Sequence, residues 1–237
     1  MVLPLGDENP TTTRPRVTVG IIIACVVLYV WQHLLMTDVS AQRAAFALGV
    51  IPAVLTGRVA LPPEIDLIPP AMTVLTSMFL HGGFWHLAGN MLYLWVFGNN
   101  IEDAMGHVRF FIFYLLCGVA AVFAQVMLGP DSQIPMVGAS GAISGVLGAY
   151  MLLFPRARVL LGMPLGFVIV QIGRFPAIWV LAAWFVMQLV MGSFAAASDP
   201  DGTQGGIAFG AHIGGFIAGL VLVALFKRRN VPLWRRY

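Results

Sequence analysis

Charged residues are scarce in this chain, and their scarcity excludes a soluble globular protein. Only 10% of the 237 residues are Asp, Glu, Lys or Arg, while 59% are hydrophobic and the mean hydropathy is +0.88. The sequence therefore predicts a polytopic membrane protein whose first partner is the lipid bilayer. No basic array interleaved with aromatic residues is present, so we expect no nucleic-acid partner.

Cysteines and metal-binding motifs are also few. Cys25 and Cys117 both lie in apolar runs, where packing is their expected role and a structural disulfide is not. The chain has no HExxH motif. A zinc site at His81, His86 and His212 lacks a nearby carboxylate or thiol to complete it. We therefore expect no metal and no cofactor.

The chain has six long apolar stretches, and they predict six transmembrane helices in an all-α bundle. They cover roughly residues 17–36, 78–103, 108–128, 138–154, 175–194 and 207–226. The fourth stretch would rise only about 25 Å as a helix, less than the ~30 Å hydrocarbon core. We expect it to be a short helix with one end below the membrane surface.

The remaining segments predict three parts of the chain. Residues 1–16 are rich in Pro and Thr, which indicates a flexible leader. Residues 17–226 are predicted to form the six-span core, and residues 227–237 a basic tail. Residues 37–77 are expected to be a loop folded against the membrane interface. Residues 159–173 are too short and too interrupted by Gly and Pro to cross, which leaves an interfacial or a re-entrant segment as alternatives. The polar residues 198–206 are expected to form a loop.

The basic residues predict the orientation of this topology. Six spans place both termini on one side, and 11 of the 13 Lys and Arg residues then lie on that side. By the positive-inside rule this side is cytoplasmic. Glu102 and Asp103 fall at the cytoplasmic end of the second span, where we expect them to anchor the helix at the interface with Arg109.

Three polar residues fall at the same predicted depth, in the outer half of the bilayer. His86 lies near the outer start of the second span, Ser140 at the start of the fourth, and His212 near the outer end of the sixth. Glycines on the fourth and sixth spans would let the two backbones approach closely enough for a histidine to meet a serine. The alternative is a packing helix whose serines bond to their own i−4 carbonyls.

The expected chemistry rests on a Ser-His dyad with nearby hydrogen-bond donors. No Asp or Glu occurs between residues 140 and 195 or between 205 and 226, so no carboxylate is expected as a third member. His86 and Asn90 are four residues apart, so their side chains project from the same face of the helix. Together with the Ser140 N–H they could form an oxyanion hole. Alternatively, these two side chains bind each other or a neighbouring carbonyl.

These motifs resemble those of the rhomboid intramembrane serine proteases. The resemblance lies in Gly138-Ala-Ser-Gly141, in Ala211-His212 followed by Gly215 and Gly219, and in His86-x-x-x-Asn90. It implies a six-helix core with a short helix four, with Ser140 as nucleophile, His212 as general base, and His86 and Asn90 as oxyanion donors. It further implies cleavage of single-span membrane proteins in or near the outer half of the bilayer. A bacterial cell membrane is the expected location, with the site open to the outer side.

One departure from the family pattern concerns the base. Ser144 stands where many members carry an aromatic residue that packs on the histidine ring, so another side chain such as Phe216 would have to do so. The main alternative function is a non-catalytic rhomboid-like protein that binds and escorts transmembrane clients, although such proteins typically lose the serine or the histidine. A small transporter is a second alternative, without paired acidic residues or an inverted repeat to favour it. Substrate identity and oligomeric state are left open.

Overall fold

The computed structural model describes residues 2–166, 168–198 and 207–234, and most of them lie in α-helices. In chain order the elements are β1 (Leu3–Asp7), α1 (Arg16–Leu34), α2 (Asp38–Leu48), α3 (Pro52–Leu55), α4 (Pro70–Thr76), α5 (Phe84–Met105), α6 (His107–Leu128), α7 (Ser140–Leu153), β2 (Arg158–Leu165), β3 (Val168–Pro176), α8 (Ala177–Ser198) and α9 (Phe209–Phe226). A single 3₁₀ turn, Ser77–Phe79, follows α4 directly.

Each of the six predicted apolar stretches coincides with one helix of 14 to 22 residues. By length and composition, α1, α6, α8 and α9 are long and apolar enough to cross a membrane. The chain is therefore an integral membrane protein. Helices α5 and α6 are separated only by Gly106, whose φ of 86° lies in the left-handed region that favours glycine and lets the chain turn sharply.

Helix α7 is enclosed by its neighbours. Every residue from Gly141 to Tyr150 is buried, and α5, α6, α8 and α9 all contact it. With 14 residues it rises about 21 Å, so it is much shorter than the helices around it. Pro155 follows its end, and the restriction that a proline imposes on the preceding residue is consistent with the helix stopping at Leu153.

A three-stranded antiparallel sheet corrects the prediction of an all-α fold. Strand β2 lies in the middle, paired with β1 on one side and with β3 on the other. Residues 159–165 and 168–173, part of the segment expected to be interfacial or re-entrant, belong to the antiparallel strands β2 and β3. Glycine and Pro164 interrupt a helix, but they are tolerated at a bulge and at the edge of a small sheet.

The N-terminal residues are also more ordered than the sequence indicated. Leu3–Asp7 form an edge strand, and the hydroxyls of Thr12 and Thr13 donate to the carboxylate of Asp103 at 2.8 and 2.7 Å. The strand and these hydrogen bonds lie in a segment whose composition predicted a flexible leader. The pairing partner of β1 lies more than 150 residues away, so local composition does not reveal it.

The segment after α1 is folded rather than an open loop. Within residues 37–77 the chain forms α2, α3 and α4, and the last two begin at Pro52 and Pro70, a residue preorganised for the first helical turn. Val50 pairs with Met136 through two backbone hydrogen bonds of 3.0 and 2.7 Å. This bridge fixes the chain two residues before Gly138, close to the start of α7.

Glu102 does not act as the expected interfacial anchor with Arg109. Its carboxylate is fully buried and accepts hydrogen bonds from the backbone N–H groups of Val17 and Thr18, at 2.8 and 2.7 Å. A negative charge there caps the first turn of α1. The predicted loop at 198–206 lies, apart from its first residue, outside the described residues, as do Arg235 and Arg236 of the basic tail.

Candidate active site

Ser140 is the first residue of α7, and its hydroxyl lies beside the ring of His212 on α9. The Ser140 Oγ and the His212 Nε2 are 2.8 Å apart, which is a hydrogen-bond distance. As the first helical residue, Ser140 also has a backbone N–H without an acceptor in its own helix. The structure thus brings together the two residues that the sequence selected as nucleophile and base.

Glycines explain why α7 and α9 approach so closely. A β-carbon on Gly215 would overlap the carbonyl oxygen of Gly141, and one on Gly219 would overlap that of Gly145. On α7, a β-carbon at Gly148 would overlap the carbonyl oxygen of Phe216. Backbone therefore packs directly on backbone, and this contact sets the distance between Ser140 and His212.

Gly138 brings the ring of His86 close to Ser140. Its φ of 131° is a conformation that other residues rarely adopt. A β-carbon built there would lie 2.7 Å from the Nε2 of His86 and 3.8 Å from the Oγ of Ser140. The His86 ring therefore packs directly against Gly138, in the place where a side chain would lie, with the Ser140 Oγ near the same position.

Asn90 is placed differently from His86. It is buried, and its Nδ2 donates to the backbone carbonyl of His86 at 2.9 Å, one helical turn earlier. The sequence allowed two possibilities for this side chain, an oxyanion donor or a bond to a neighbouring carbonyl, and this hydrogen bond is of the second kind. The amide nitrogen carries two hydrogens, so one N–H is not used by this bond.

Ser144, the other hydroxyl on α7, has a different environment. Its side chain is 1% exposed, and its Oγ donates to the carbonyl oxygen of Ser140 at 2.7 Å. That bond is the i−4 pattern of a serine whose hydroxyl is satisfied by its own helix. Of the two serines on α7, Ser140 is the one whose hydroxyl contacts a histidine.

Two residues of α8 complete the surroundings of His212, and the sequence analysis missed both roles. The Nδ1 of His212 lies 2.8 Å from the Oε1 of Gln188, and the ring of Trp184 is centred 6.0 Å from the imidazole. Phe216, proposed above as the aromatic neighbour of the base, packs on Phe185 and Trp184. The sequence signal that points to Gln188 is a polar residue inside an apolar span.

A metal site needs several histidine, cysteine or carboxylate side chains close together. Within residues 2–166, 168–198 and 207–234, no group of three such side chains has a suitable arrangement. The rings of His81 and His86 contact each other edge to face, with their centroids 5.2 Å apart. The polar groups around Ser140 are thus a hydroxyl, imidazoles and amides, which is a set suited to acyl transfer.

The chain is similar to a known protein family and to several of its members. The family profile described as the Rhomboid domain matches residues 70–229, more than half of the chain. Rhomboid protein 1, mitochondrial, of Saccharomyces cerevisiae is 33% identical over 155 residues, which is 62% of this chain and 43% of that protein. Rhomboid protease GluP of Bacillus subtilis is 33% identical over 149 residues, which is 63% of this chain and 25% of that protein.

A third relative extends the comparison to plants. Rhomboid-like protein 11, chloroplastic, of Arabidopsis thaliana is 28% identical over 163 residues, or 65% of this chain and 52% of that protein. The chain spans less than half of the yeast and Bacillus relatives and about half of the plant one.

Proposed function

This chain belongs to the rhomboid family, and we propose that it is an intramembrane serine endopeptidase that cleaves single-span membrane proteins. Cleavage takes place in or near the outer half of the bilayer and uses a Ser140–His212 dyad. The observation that carries the proposal is the 2.8 Å hydrogen bond between the Ser140 Oγ and the His212 Nε2. A serine becomes a useful nucleophile when a neighbouring base accepts its proton, and this is the geometry required.

The proposed reaction begins with transfer of the Ser140 proton to His212. The Oγ attacks the scissile carbonyl carbon, and negative charge develops on the carbonyl oxygen. His212 then gives its proton to the leaving amine as the carbon–nitrogen bond breaks, which leaves an acyl group on Ser140. Water, deprotonated by His212, attacks this ester, releases the carboxylic acid and restores the serine.

The charge on the carbonyl oxygen needs donors, and three groups are proposed to supply them. They are the backbone N–H of Ser140, the ring of His86 and the free amide hydrogen of Asn90. The position of His86 supports this role, since its Nε2 and the Ser140 Oγ both lie near the position that a β-carbon on Gly138 would occupy. Donors held in place before the reaction stabilise a developing oxyanion without having to reorganise.

The proposed topology has six membrane-spanning helices: α1, α5, α6, α7, α8 and α9. Both termini are then cytoplasmic, in agreement with 11 of 13 basic residues on that side, and the start of α7 opens to the outer side. Residues 17–226 are the proposed catalytic core, between residues 1–16 and the basic tail 227–237. We propose the bacterial cell membrane as the location.

The test compares wild-type protein with Ser140→Ala and His212→Ala in detergent or liposomes. Cleavage of a single-span reporter and labelling by a fluorophosphonate, which reacts with activated serines, are measured together. We expect wild type to cleave and to be labelled, and both variants to lose cleavage by at least ~10⁴-fold with the fold intact. The matched control is Ser144→Ala on the same helix, which should keep its activity.

Two results would contradict the proposal. One is an active Ser140→Ala variant alongside an inactive Ser144→Ala variant, which would assign the wrong serine. The other is a folded wild type that binds the reporter but neither cleaves it nor reacts with the probe. That outcome would instead favour the non-catalytic rhomboid-like function, in which transmembrane clients are bound and escorted.

A further inference from the structure

Gln188 contacts the nitrogen of His212 that faces away from Ser140. The Oε1 of Gln188 lies 2.8 Å from the Nδ1, and an amide oxygen can only accept a hydrogen bond, so in the neutral ring the Nδ1 carries the hydrogen. The Nε2, 2.8 Å from the Ser140 Oγ, is then left to accept the hydroxyl proton. The two hydrogen bonds therefore require the same tautomer of the ring.

We propose that Gln188 is a positioning residue for His212. Its amide oxygen accepts the Nδ1–H, selects the tautomer in which Nε2 is free to accept a proton, and holds the rotation of the ring toward Ser140. This inference rests on the proposed function, because it assigns Gln188 a role in the same dyad. Gln188 acts through His212 and is not itself proposed to touch the substrate.

The burial of Gln188 supports a specific role. It is 5% exposed, and the other buried residues of α8 are Ala177 and Leu181. The spacings of four and seven residues put all three on one face of the helix. A buried amide without a hydrogen bond costs free energy, so an apolar residue is the default choice at such a position. A glutamine here is explained by the bond to His212.

Trp184 helps to define the same arrangement. It lies one turn before Gln188, so the two side chains leave α8 in the same direction. The Trp184 ring lies 6.0 Å from the centroids of both His212 and Phe216. The imidazole is thus bordered by an aromatic ring on one part of its surface and by an amide oxygen at its Nδ1. Helix α8 thereby supplies both the packing and the acceptor for a base carried by α9.

An amide acceptor differs from the carboxylate of a triad in one respect. Both orient the ring and select its tautomer, but only the carboxylate also brings a negative charge to stabilise the imidazolium. Gln188 would therefore supply the orienting part of the triad arrangement without introducing a charge into an apolar span. If the bond between Gln188 and His212 only held α8 against α9, losing it would leave catalysis unchanged in the folded protein. The experiment distinguishes this structural role from the positioning role.

The experiment compares Gln188→Met with Gln188→Glu. Methionine keeps the length and volume but has no comparable acceptor, while glutamic acid presents an oxygen at the same place whether or not it is protonated. We expect Gln188→Met to lower kcat by roughly 10-fold, as loss of one ordinary hydrogen bond would, with KM within about two-fold of wild type. Gln188→Glu should recover kcat to within about three-fold of wild type. Ser193→Ala, an exposed position on α8, is the control and should behave as wild type.

A second measurement tests the inference without relying on turnover. ¹⁵N NMR of ring-labelled histidine reports which ring nitrogen carries the proton, and His212→Gln identifies the signal. We expect a protonated Nδ1 for His212 in wild type and in Gln188→Glu, and a mixture of tautomers in Gln188→Met. Equal kcat values for wild type and Gln188→Met, or an unchanged tautomer in that variant, would overturn the role of Gln188. Equal losses of kcat in the Met and Glu variants would also overturn it.

These outcomes differ from those that would overturn the proposed function. If wild type cleaves the reporter, Ser140→Ala does not, and Gln188→Met equals wild type, only the inference about Gln188 fails. If wild type neither cleaves nor is labelled, the proposed function fails. In that case, a His212 tautomer that changes in Gln188→Met would still support the hydrogen bond between Gln188 and His212. A tautomer that stays the same in this variant would overturn the inference about Gln188 as well.

Discussion

Side chains of α7 and α8 both contact His212, but these two helices are packed into the bundle in different ways. All ten residues from Gly141 to Tyr150 on α7 are buried, and glycines on this helix press against the backbone of α9. On α8 only Ala177, Leu181 and Gln188 of 22 residues are buried. The position of α7 is therefore set by backbone shape, whereas that of α8 depends on a few side chains.

This difference separates two contributions to the site. The α7–α9 contact sets the distance between Ser140 and His212, which tolerates little change because close-packed backbones have no room to adjust. The α8 side chains set the orientation of the His212 ring. Changes of volume between α7 and α9 should therefore be severe, and changes on the outward surface of α8 should be mild.

The largest expected effect tests the first half of this comparison. Gly215→Ala places a β-carbon against the Gly141 carbonyl and must push α7 and α9 apart. We expect activity to fall by about 100-fold or more, because a misplacement of ~1 Å has that cost, and we expect the thermal unfolding temperature to drop. Reporter cleavage and thermal unfolding in detergent measure both.

Two controls define what this result means. Gly20→Ala on α1 adds the same methyl group where nothing lies within 4 Å, and Val190→Ala shortens a side chain on α8 that is 47% exposed. Both variants should retain wild-type cleavage. A Gly215→Ala variant as active as these two would show that the α7–α9 distance does not control the dyad.

A smaller effect is expected from the proposed oxyanion donors, which lie beside α7 but on α5. His86→Ala and Asn90→Ala should each reduce kcat by no more than ~10²-fold, the lower end of the cost of losing one oxyanion donor, while Ser140 remains reactive enough to bind a fluorophosphonate. The double variant should be clearly worse than either single one, because the remaining donors partly substitute for each other. If all three variants turned over the reporter at the wild-type rate, neither side chain would have this role.

The smallest expected effect concerns the end of α7 opposite to Ser140. There the hydroxyl of Tyr150 donates to the carboxylate of Asp7 on β1, and burial raises the pKa of Asp7 to about 6. Because the folded state binds this proton more tightly than the unfolded chain, the contribution of Asp7 to stability is fully present only below about pH 4. Stability should fall as the pH rises through about 6.

Asp7→Asn removes this titration and keeps an acceptor for Tyr150. Relative to wild type, the variant should gain thermal stability by a few degrees between pH 5 and pH 8. Thermal unfolding of both proteins across this range provides the measurement. A difference between the two proteins that stays constant with pH would mean that Asp7 does not titrate with the folding of β1.

Much of the helical fold could be predicted because its signals are local. Each long helix lies within a few residues of a predicted apolar stretch, and such stretches need only composition and length to be recognised. The sheet could not be predicted in this way. Strand β1 is defined by its pairing with β2, more than 150 residues later, and a short segment with Pro and Gly carries no local strand signal.

For the candidate site, the sequence by itself determined which residues could meet. The small residues around Ser140 and His212 permit close helix packing, and the 3.6-residue helical period puts His86 and Asn90 on one face. Only the tertiary structure decided that the Ser140 Oγ and the His212 Nε2 lie 2.8 Å apart, that Asn90 bonds to the His86 carbonyl, and that Gln188 reaches the Nδ1. The reason is physical, since periodicity sets the face of a helix, whereas the rotation and depth of one helix against another depend on packing among all of them.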